Sequence, residues 1–244
     1  MPVKKNGLYL LAACLLLLCA CQKEDLRGNY EYRTLGVSAR DLLTAAPYTT
    51  LQIQIDYMPG FAPDNAVIGN LTTFINAYTN KPGGITVLQR PIAASGKAAL
   101  SLTDIVKIER NNRIFFTGLN TITLDILITD GYFTSTNTFA TSYWNTSICI
   151  FGQAINDNSG SQGLVPRSKL LSTVLQHEMG HLLGLVNQGS PMQSPHKDPD
   201  NGAHCINPAC LMFYGIETNA GSMNNPIPLL DDHCMNDLKA NGGK

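Results

Sequence analysis

The sequence predicts an α/β domain in which strands alternate with helices. Residues 51–57 and 121–129 alternate apolar and polar side chains, which is typical of strands with one buried face. Apolar side chains recur at helical spacing in residues 63–78 and 168–186. After residue 186 these patterns stop, and prolines and glycines become frequent. We therefore expect a layered α/β part followed by an irregular C-terminal part.

The remaining elements are predicted from the same patterns. Residues 85–88 and 143–155 are further predicted strands, and residues 101–110 and 229–239 are further predicted helices. Ser168 is the expected N-cap of the helix at 168–186. One side of this helix carries an apolar stripe that predicts burial. The stripe consists of Leu171, Leu175, Met179, Leu182 and Val186.

Residues 1–20 have the order of segments expected of a bacterial export signal. Two lysines precede an apolar run at residues 8–18, which is too short to span a membrane, and small residues then lead to Cys21. This arrangement resembles a lipobox, which implies that Cys21 carries a lipid. An ordinary cleaved secretory signal and a short anchor helix are the alternatives. We predict a signal peptide at 1–20, a tether at 21–47 and a domain at 48–244, in two parts divided after residue 186.

Charge and the first residues after Cys21 indicate where the chain acts. Lys23 followed by two acidic residues is similar to the signal that sends some lipoproteins to the outer face of the outer membrane. We therefore expect an exported protein that is lipid-anchored to the bacterial outer membrane and contacts it only through the lipid. The formal net charge is -1, so the sequence carries no electrostatic footprint for nucleic acid.

The strongest chemical signal lies inside the helix at 168–186. His177 and His181 are four residues apart, so both rings lie on one face and can hold one metal ion. Glu178 lies beside that face, where it can take a proton from a water molecule whose pKa zinc lowers to about 7. Two histidines on a solvated helix are the alternative. The apolar stripe argues against it, because a solvated helix needs no buried side.

A glycine extends this pattern. Gly184 follows His181 by three residues and allows the chain to leave the helix through a left-handed conformation. The stretch from His177 to Gly184 resembles the signature of the metzincin zinc peptidases, whose third metal ligand follows three residues later. The resemblance implies a twisted mixed sheet with two backing helices, an active-site helix, and a C-terminal part with a Met-turn and a final helix. The third-ligand position holds Asn187, which is a weak zinc ligand beside imidazole.

A later segment resembles the distinctive segment of archaemetzincins. It reads His204, Cys205, four residues, Cys210, one residue and Met212. The resemblance implies that His204 completes the zinc site after an inserted loop at residues 187–203. It also implies that Met212 is the Met-turn residue beneath the metal.

Two further residues of this part of the chain have competing interpretations. His196 lies in the inserted loop and is the rival third ligand to His204. Tyr214 follows Met212 by two residues, as in metzincins whose tyrosine hydroxyl stabilises the oxyanion, and simple packing is the alternative.

The cysteines suggest a second metal. In archaemetzincins, two cysteines of this segment and a later pair bind a structural zinc, so the resemblance implies a second zinc site. Its ligands here would be Cys205, Cys210, Cys234 and Asp237, since carboxylate is an accepted zinc ligand. A disulfide between Cys205 and Cys210, with Cys234 free or paired with Cys149, is the alternative for an exported protein.

The resemblance thus implies a zinc-dependent endopeptidase. Glu178 would act as general base and then donate the proton to the leaving amine. The peptide or protein substrate would lie along an edge strand near residues 143–155. The alternative, which Asn187 motivates, is a catalytically inactive surface lipoprotein that keeps the metzincin fold as a binding module.

Overall fold

A five-stranded sheet lies at the centre of the fold. The computed structural model describes residues 30–135, 138–222 and 224–244. The strands are β1 (Thr50–Tyr57), β2 (Gly84–Pro91), β3 (Ala99–Leu100), β4 (Thr121–Thr129), β5 (Tyr132–Phe133), β6 (Ala140–Trp144) and β7 (Ser147–Phe151). The main sheet has the order β2-β1-β4-β7-β6, in which only β6 is antiparallel to its neighbour. Strands β3 and β5 form a separate small sheet.

Six α-helices lie around the sheet in the described part of the chain. They are α1 (Ala39–Leu43), α2 (Asn65–Tyr78), α3 (Leu102–Asn112), α4 (Gly152–Asp157), α5 (Arg167–Leu182) and α6 (Asp232–Ala240). The side chains of Asp64, Ser101 and Asp231 cap α2, α3 and α6. The predicted cap at Ser168 is wrong. Helix α5 begins one residue earlier, directly after Pro166, and has no side-chain cap. Proline lacks a backbone N–H and suits the start of a helix.

Helices cover both faces of the main sheet. Helices α2 and α5 pack on the face where every second residue of β4 from Ile122 to Ile128 enters the main core. Helix α3 covers the other face, where Ile105 packs with Leu127. Burial on both sides explains why β4 is buried from its second residue onward although its sequence alternates.

The predicted fourth strand at residues 143–155 is wrong as a single element. The segment contains the end of β6, a tight turn, β7 and then α4. Asn145 holds the turn, since its side chain donates a hydrogen bond to the Tyr30 carbonyl at 2.8 Å. Helix α4 begins at Gly152, where a Cβ would lie 2.5 Å from the Thr129 carbonyl oxygen. Within this segment, the edge strand of the sheet is therefore β6.

The segment before β1 belongs to the domain and not to a tether. Helix α1 buries Leu42 and Leu43 completely in the main core. The predicted domain boundary at residue 48 is therefore wrong, because Tyr30 and Glu31 already make hydrogen bonds to distant parts of the domain. The predicted signal peptide, Cys21 and residues 22–29 lie outside the described residues. Within the described residues, no helix combines the length and the apolarity that crossing a membrane requires.

A glycine bend ends the helix that carries the histidines. Helix α5 stops at Leu182, four residues before the predicted end, and Gly184 adopts a φ of 80°. A Cβ on Gly184 would lie 2.5 Å from the Ser190 amide nitrogen and 2.7 Å from the Ala39 Cβ. Both the left-handed conformation and the lack of space require glycine. The predicted bend is confirmed.

We predict that Gly184→Ala lowers the free energy of unfolding by about 2–5 kcal/mol. The left-handed conformation costs a residue with a Cβ about 1–2 kcal/mol, and the close contact adds about 1–3 kcal/mol. Gly60→Ala is the matched control, because Gly60 has a φ of 87° with nothing within 4 Å of an added Cβ. Only the conformational cost should appear there. Urea denaturation measures both variants, and equal losses would contradict the role of the contact.

Candidate metal centre

Helix α5 places two histidines side by side in a buried position. The Nε2 atoms of His177 and His181 are 3.2 Å apart, and both residues are less than 9 % exposed. Two nitrogen ligands of a tetrahedral zinc ion, each at about 2.0–2.1 Å from the metal, lie about 3.3–3.4 Å from one another. The separation of the two rings therefore fits a shared metal ion.

The ring of His204 closes the third side of this site. Its centroid lies 5.2 Å from that of His177 and 5.3 Å from that of His181. One nitrogen from each of the three rings lies within 4.8 Å of the other two. The two rivals lie elsewhere, because Asn187 is exposed and His196 pairs with Asp237 beside the cysteines.

Backbone carbonyls orient two of the three rings. The Nδ1–H of His177 donates to the Leu211 carbonyl at 2.8 Å, and the Nδ1–H of His204 donates to the Asn201 carbonyl at 2.5 Å. Each bond leaves the Nε2 lone pair for a metal ion. Burial lowers the pKa of both rings, and it lowers the pKa of His181 still further together with the neighbouring imidazoles. All three rings are therefore held neutral, as metal ligation requires.

Glu178 is a buried carboxyl with one dedicated partner. The hydroxyl of Ser142 donates to Glu178 Oε2 at 2.7 Å and lies 3.1 Å from the Glu178 carbonyl oxygen. Burial raises the pKa of Glu178 to about 7, while the hydrogen bonds of Ser142 oppose this rise. A carboxyl with a pKa near neutrality can both accept and return a proton. Sequence reasoning missed Ser142, because a single serine in a strand carries no signal.

Met212 packs beneath the histidine helix. The methionine is completely buried, and a Cβ on Gly180 would lie 2.3 Å from its Sδ atom. The preceding residue, Leu211, supplies the carbonyl that orients His177. The segment around Met212 therefore both supports the helix and positions one of its rings.

A cleft of about 350 Å³ opens beside these residues. It is lined by residues 140–142 of β6, by Glu178 and His181 of α5, by residues 201–204, and by Leu35 and Gln188. The sequence contained no signal for the last two. Leu35 comes from the segment that was predicted to be a tether, and Gln188 follows the predicted third-ligand position.

Tyr214 lies outside the lining of this cleft. Its side chain is 53 % exposed, and its ring centroid lies 4.6 Å from that of Phe213. The predicted role of its hydroxyl at the oxyanion stays a prediction.

A second cluster joins the C-terminal cysteines to a histidine. The Sγ atoms of Cys210 and Cys234 are 3.7 Å apart, and Cys234 Sγ lies 3.9 Å from His196 Nδ1. Ligand atoms of Cys205, Cys234, His196 and Asp231 lie within 4.8 Å of one another. Two sulfur ligands of one tetrahedral zinc ion, each at about 2.3 Å from the metal, are about 3.8 Å apart. The spacing of the thiols fits a second metal ion.

The structure corrects two expectations about this cluster. Asp237 does not belong to this group of four residues. One of its carboxylate oxygens lies 2.8 Å from His196 Nε2, and the other accepts the Gln193 N–H at 2.7 Å. Cys149 packs in the smaller core on the α3 side of the sheet, whereas Cys234 lies in the main core. A disulfide between these two cysteines is therefore excluded. All four described cysteines are free thiols.

Comparisons with known proteins place the fold. No protein-family model matches the chain, and no curated protein matches it. Among solved structures, it is similar to the crystal structure of archaemetzincin from Methanopyrus kandleri, with a TM-score of 0.50 and 12% sequence identity. The match covers 79% of this chain and 96% of that chain. The fold is archaemetzincin-like. This confirms the predicted α/β class, and the sheet is mostly parallel with β6 as its one antiparallel strand.

We predict that Gly180→Ala lowers the free energy of unfolding by about 1–3 kcal/mol, because the added methyl overlaps the Met212 sulfur. The control is Gly69→Ala, since Gly69 lies in α2 with nothing within 4 Å of an added Cβ. The free energy of unfolding of that variant should rise by about 0.5–1 kcal/mol, because alanine favours the helix more than glycine does. Thermal or urea unfolding provides the comparison. A gain of stability at both positions would show that Met212 does not pack against Gly180.

Proposed function

We propose that this protein is a zinc-dependent endopeptidase. The observation that carries the proposal is the convergence of His177, His181 and His204 beside the buried carboxyl of Glu178. Three neutral imidazoles suit zinc, and three protein ligands leave a fourth position free for chemistry. The archaemetzincin-like fold supports the same assignment.

The residues of the site have distinct roles in this mechanism. The three histidines would hold zinc, which when bound polarises the scissile carbonyl and makes water more acidic. Glu178 takes a proton from water as the water oxygen bonds to the carbonyl carbon. It then delivers that proton to the amide nitrogen as the C–N bond breaks. Ser142 donates to Oε2 and so leaves Oε1 of Glu178 to carry the proton.

Strand β6 is the proposed binding edge for the substrate. It pairs only with β7 in the described sheet, and its residues 140–142 line the cleft. An extended peptide that pairs with this edge would pass beside Glu178, since Ser142 of the same strand contacts that carboxyl. This proposal moves the substrate from the predicted segment at 143–155 to β6.

We also propose a second, structural zinc at Cys205, Cys210 and Cys234. The backbone N–H groups of Met212 and Asp231 point at Cys210 Sγ, each at 3.4 Å. The hydrogen bond between Cys210 and Cys234, together with these two N–H groups, lowers the pKa of Cys210 to about 7. A thiolate at this position suits zinc.

The lipid anchor at Cys21 and the outer-membrane location remain proposals that rest on the sequence pattern. Labelling cells with a radioactive fatty acid should mark the protein, and Cys21→Ser should lose the label. An unlabelled wild-type protein would favour the ordinary secretory signal.

We predict that His204→Ala weakens zinc binding at the catalytic site by more than about 100-fold. Loss of a residue that only hydrogen-bonds a metal ligand lowers metal affinity by about 10–100-fold, so loss of a ligand itself should lower the affinity further. Asn187→Gly is the control, because it removes the rival ligand while glycine tolerates the φ of 64°. Elemental analysis and competition with a chelator measure the affinity. If Asn187→Gly loses zinc and His204→Ala keeps it, the assigned third ligand is incorrect.

We predict that Glu178→Gln lowers kcat for peptide hydrolysis by about 10²–10⁴-fold while zinc stays bound. Glutamine keeps the size of the side chain but cannot accept the proton. A peptide library identifies a substrate first, and kinetics on that substrate come second. A wild-type protein that holds zinc but cleaves no peptide would support the binding-module alternative.

We predict that Ser142→Ala shifts the acidic limb of the pH profile of kcat/KM to higher pH. The hydrogen bond from the Ser142 hydroxyl lowers the pKa of Glu178, so its loss raises that pKa, while the backbone hydrogen bond of residue 142 is kept. Since catalysis needs the ionised carboxylate, activity should then begin at a higher pH. Ser95→Ala is the matched control, because Ser95 is a half-buried serine whose hydroxyl donates to the Asp130 carboxylate, and neither residue lines the cleft. An unmoved acidic limb would mean that Glu178 is not the group that titrates.

A further inference from the structure

His196 and Asp237 form a buried pair beside the cysteine cluster. Both side chains are fully buried, and His196 Nε2 lies 2.8 Å from Asp237 Oδ2. The second Asp237 oxygen accepts the Gln193 N–H, so the carboxylate is fixed in place. Asp237 thereby holds the proton of His196 on Nε2, and the Nδ1 lone pair faces Cys234 Sγ at 3.9 Å. A carboxylate behind a histidine is the usual arrangement for a metal-bound imidazole.

The competing carboxylate has another task. Asp231 is near the cluster, but its Oδ1 accepts the Cys234 N–H as the N-cap of α6, and its Oδ2 accepts from the Asn207 side chain. A cap residue in this geometry stabilises the helix that carries Cys234. Imidazole is also the better partner for thiolates around zinc. His196 is therefore the better fourth ligand.

His196 and His204 lie on the two strands of one hairpin, the 196–206 hairpin. The Asp198 N–H donates to the His204 carbonyl at 2.7 Å, and the Ile206 N–H donates to the His196 carbonyl at 2.9 Å. Lys197 and Cys205 form the bridge between these two bonds. Within this hairpin, ligand atoms of His196 and Cys205 lie in the cysteine cluster, while the ring of the neighbouring His204 lies with those of His177 and His181.

We propose that His196 is the fourth ligand of a zinc ion with Cys205, Cys210 and Cys234, and that this ion holds the 196–206 hairpin so that His204 reaches the first site. His196 is then a positioning residue for the catalytic centre. The inference rests on the proposed function, because it takes His204 as a ligand of the catalytic zinc. The physical basis is conformational entropy. The long loop after Gly184 must become ordered before His204 can bind the first metal ion. A metal ion in the cysteine cluster orders this loop in advance, so less entropy is lost when His204 binds.

The test compares His196→Ala, His196→Cys and His233→Ala in the full chain, purified in detergent with a reductant. His196→Cys can keep a ligand at this position. The cysteine side chain is shorter than that of histidine, but the bond from sulfur to zinc is longer than the bond from nitrogen and makes up part of the difference. His233 is an exposed neighbour whose ring stacks on His196 at 5.5 Å, so its removal controls for packing.

Cobalt(II) reports on the two sites separately, because only the cysteine cluster gives thiolate-to-metal absorption. We expect His196→Ala to weaken this band and to lower the zinc affinity of the first site by about 5–150-fold, although no ligand of that site has changed. His196→Cys should restore both, and His233→Ala should change neither. If His196→Ala fails to fold by circular dichroism, Asp237→Asn should produce the same losses, by about 10–100-fold at the cluster.

Three outcomes would overturn the proposal. An unchanged thiolate-to-cobalt band in His196→Ala would show that His196 is not a ligand of the metal ion in the cysteine cluster. A weakened band with an unchanged zinc affinity at the first site would show that the two sites are not coupled. A disulfide between Cys210 and Cys234 that persists in the wild-type chain despite the reductant, detected by mass spectrometry, would show that these thiols do not bind a metal ion. Failure of the endopeptidase proposal looks different, because the wild type would then show the thiolate band but bind no second cobalt ion at the histidines.

Discussion

The hydrogen bond from His177 to the Leu211 carbonyl joins the two parts of this domain at the point where the three histidines meet. It connects the helix of the α/β part to the irregular segment that ends in Met212. Met212 then packs against Gly180 on the same helix, so one short segment both orients a ring and supports the turn between His177 and His181. The geometry of the three histidines depends on this contact, because α5 alone could not set the distance to His204.

Burial gives the site its chemical character. Two imidazoles and a carboxyl are removed from water and the His204 imidazole is half-buried, which costs free energy unless the groups find partners. The protein meets part of this cost with two backbone carbonyls and one serine hydroxyl. The remaining Nε2 lone pairs converge on one point, and a cation there would satisfy all three. The same principle applies to the thiols of the second cluster.

Local sequence patterns predicted some elements well and others poorly. The helix with His177 and His181, the glycine bend and the strands β1, β2 and β4 follow from periodicity and from the conformational freedom of glycine. The hairpin within residues 143–155 did not, because a turn at Asn145 depends on a distant carbonyl at Tyr30. Helix α1 was also missed. Its two leucines stand among polar residues, and only packing against the core reveals their burial.

The sequence by itself determined the helical spacing that pairs His177 with His181, and its resemblance to archaemetzincins pointed to His204 and to the cysteines of the second cluster. Spacing along a helix is a local property, so it can be read directly from the chain. Only the tertiary structure decided which loop residue serves which cluster. The sequence left His196 as a rival to His204 for the first site, and the structure places His196 beside Cys234 and Asp237 and His204 beside His177 and His181. That choice depends on long-range hydrogen bonds and packing, which no local pattern encodes.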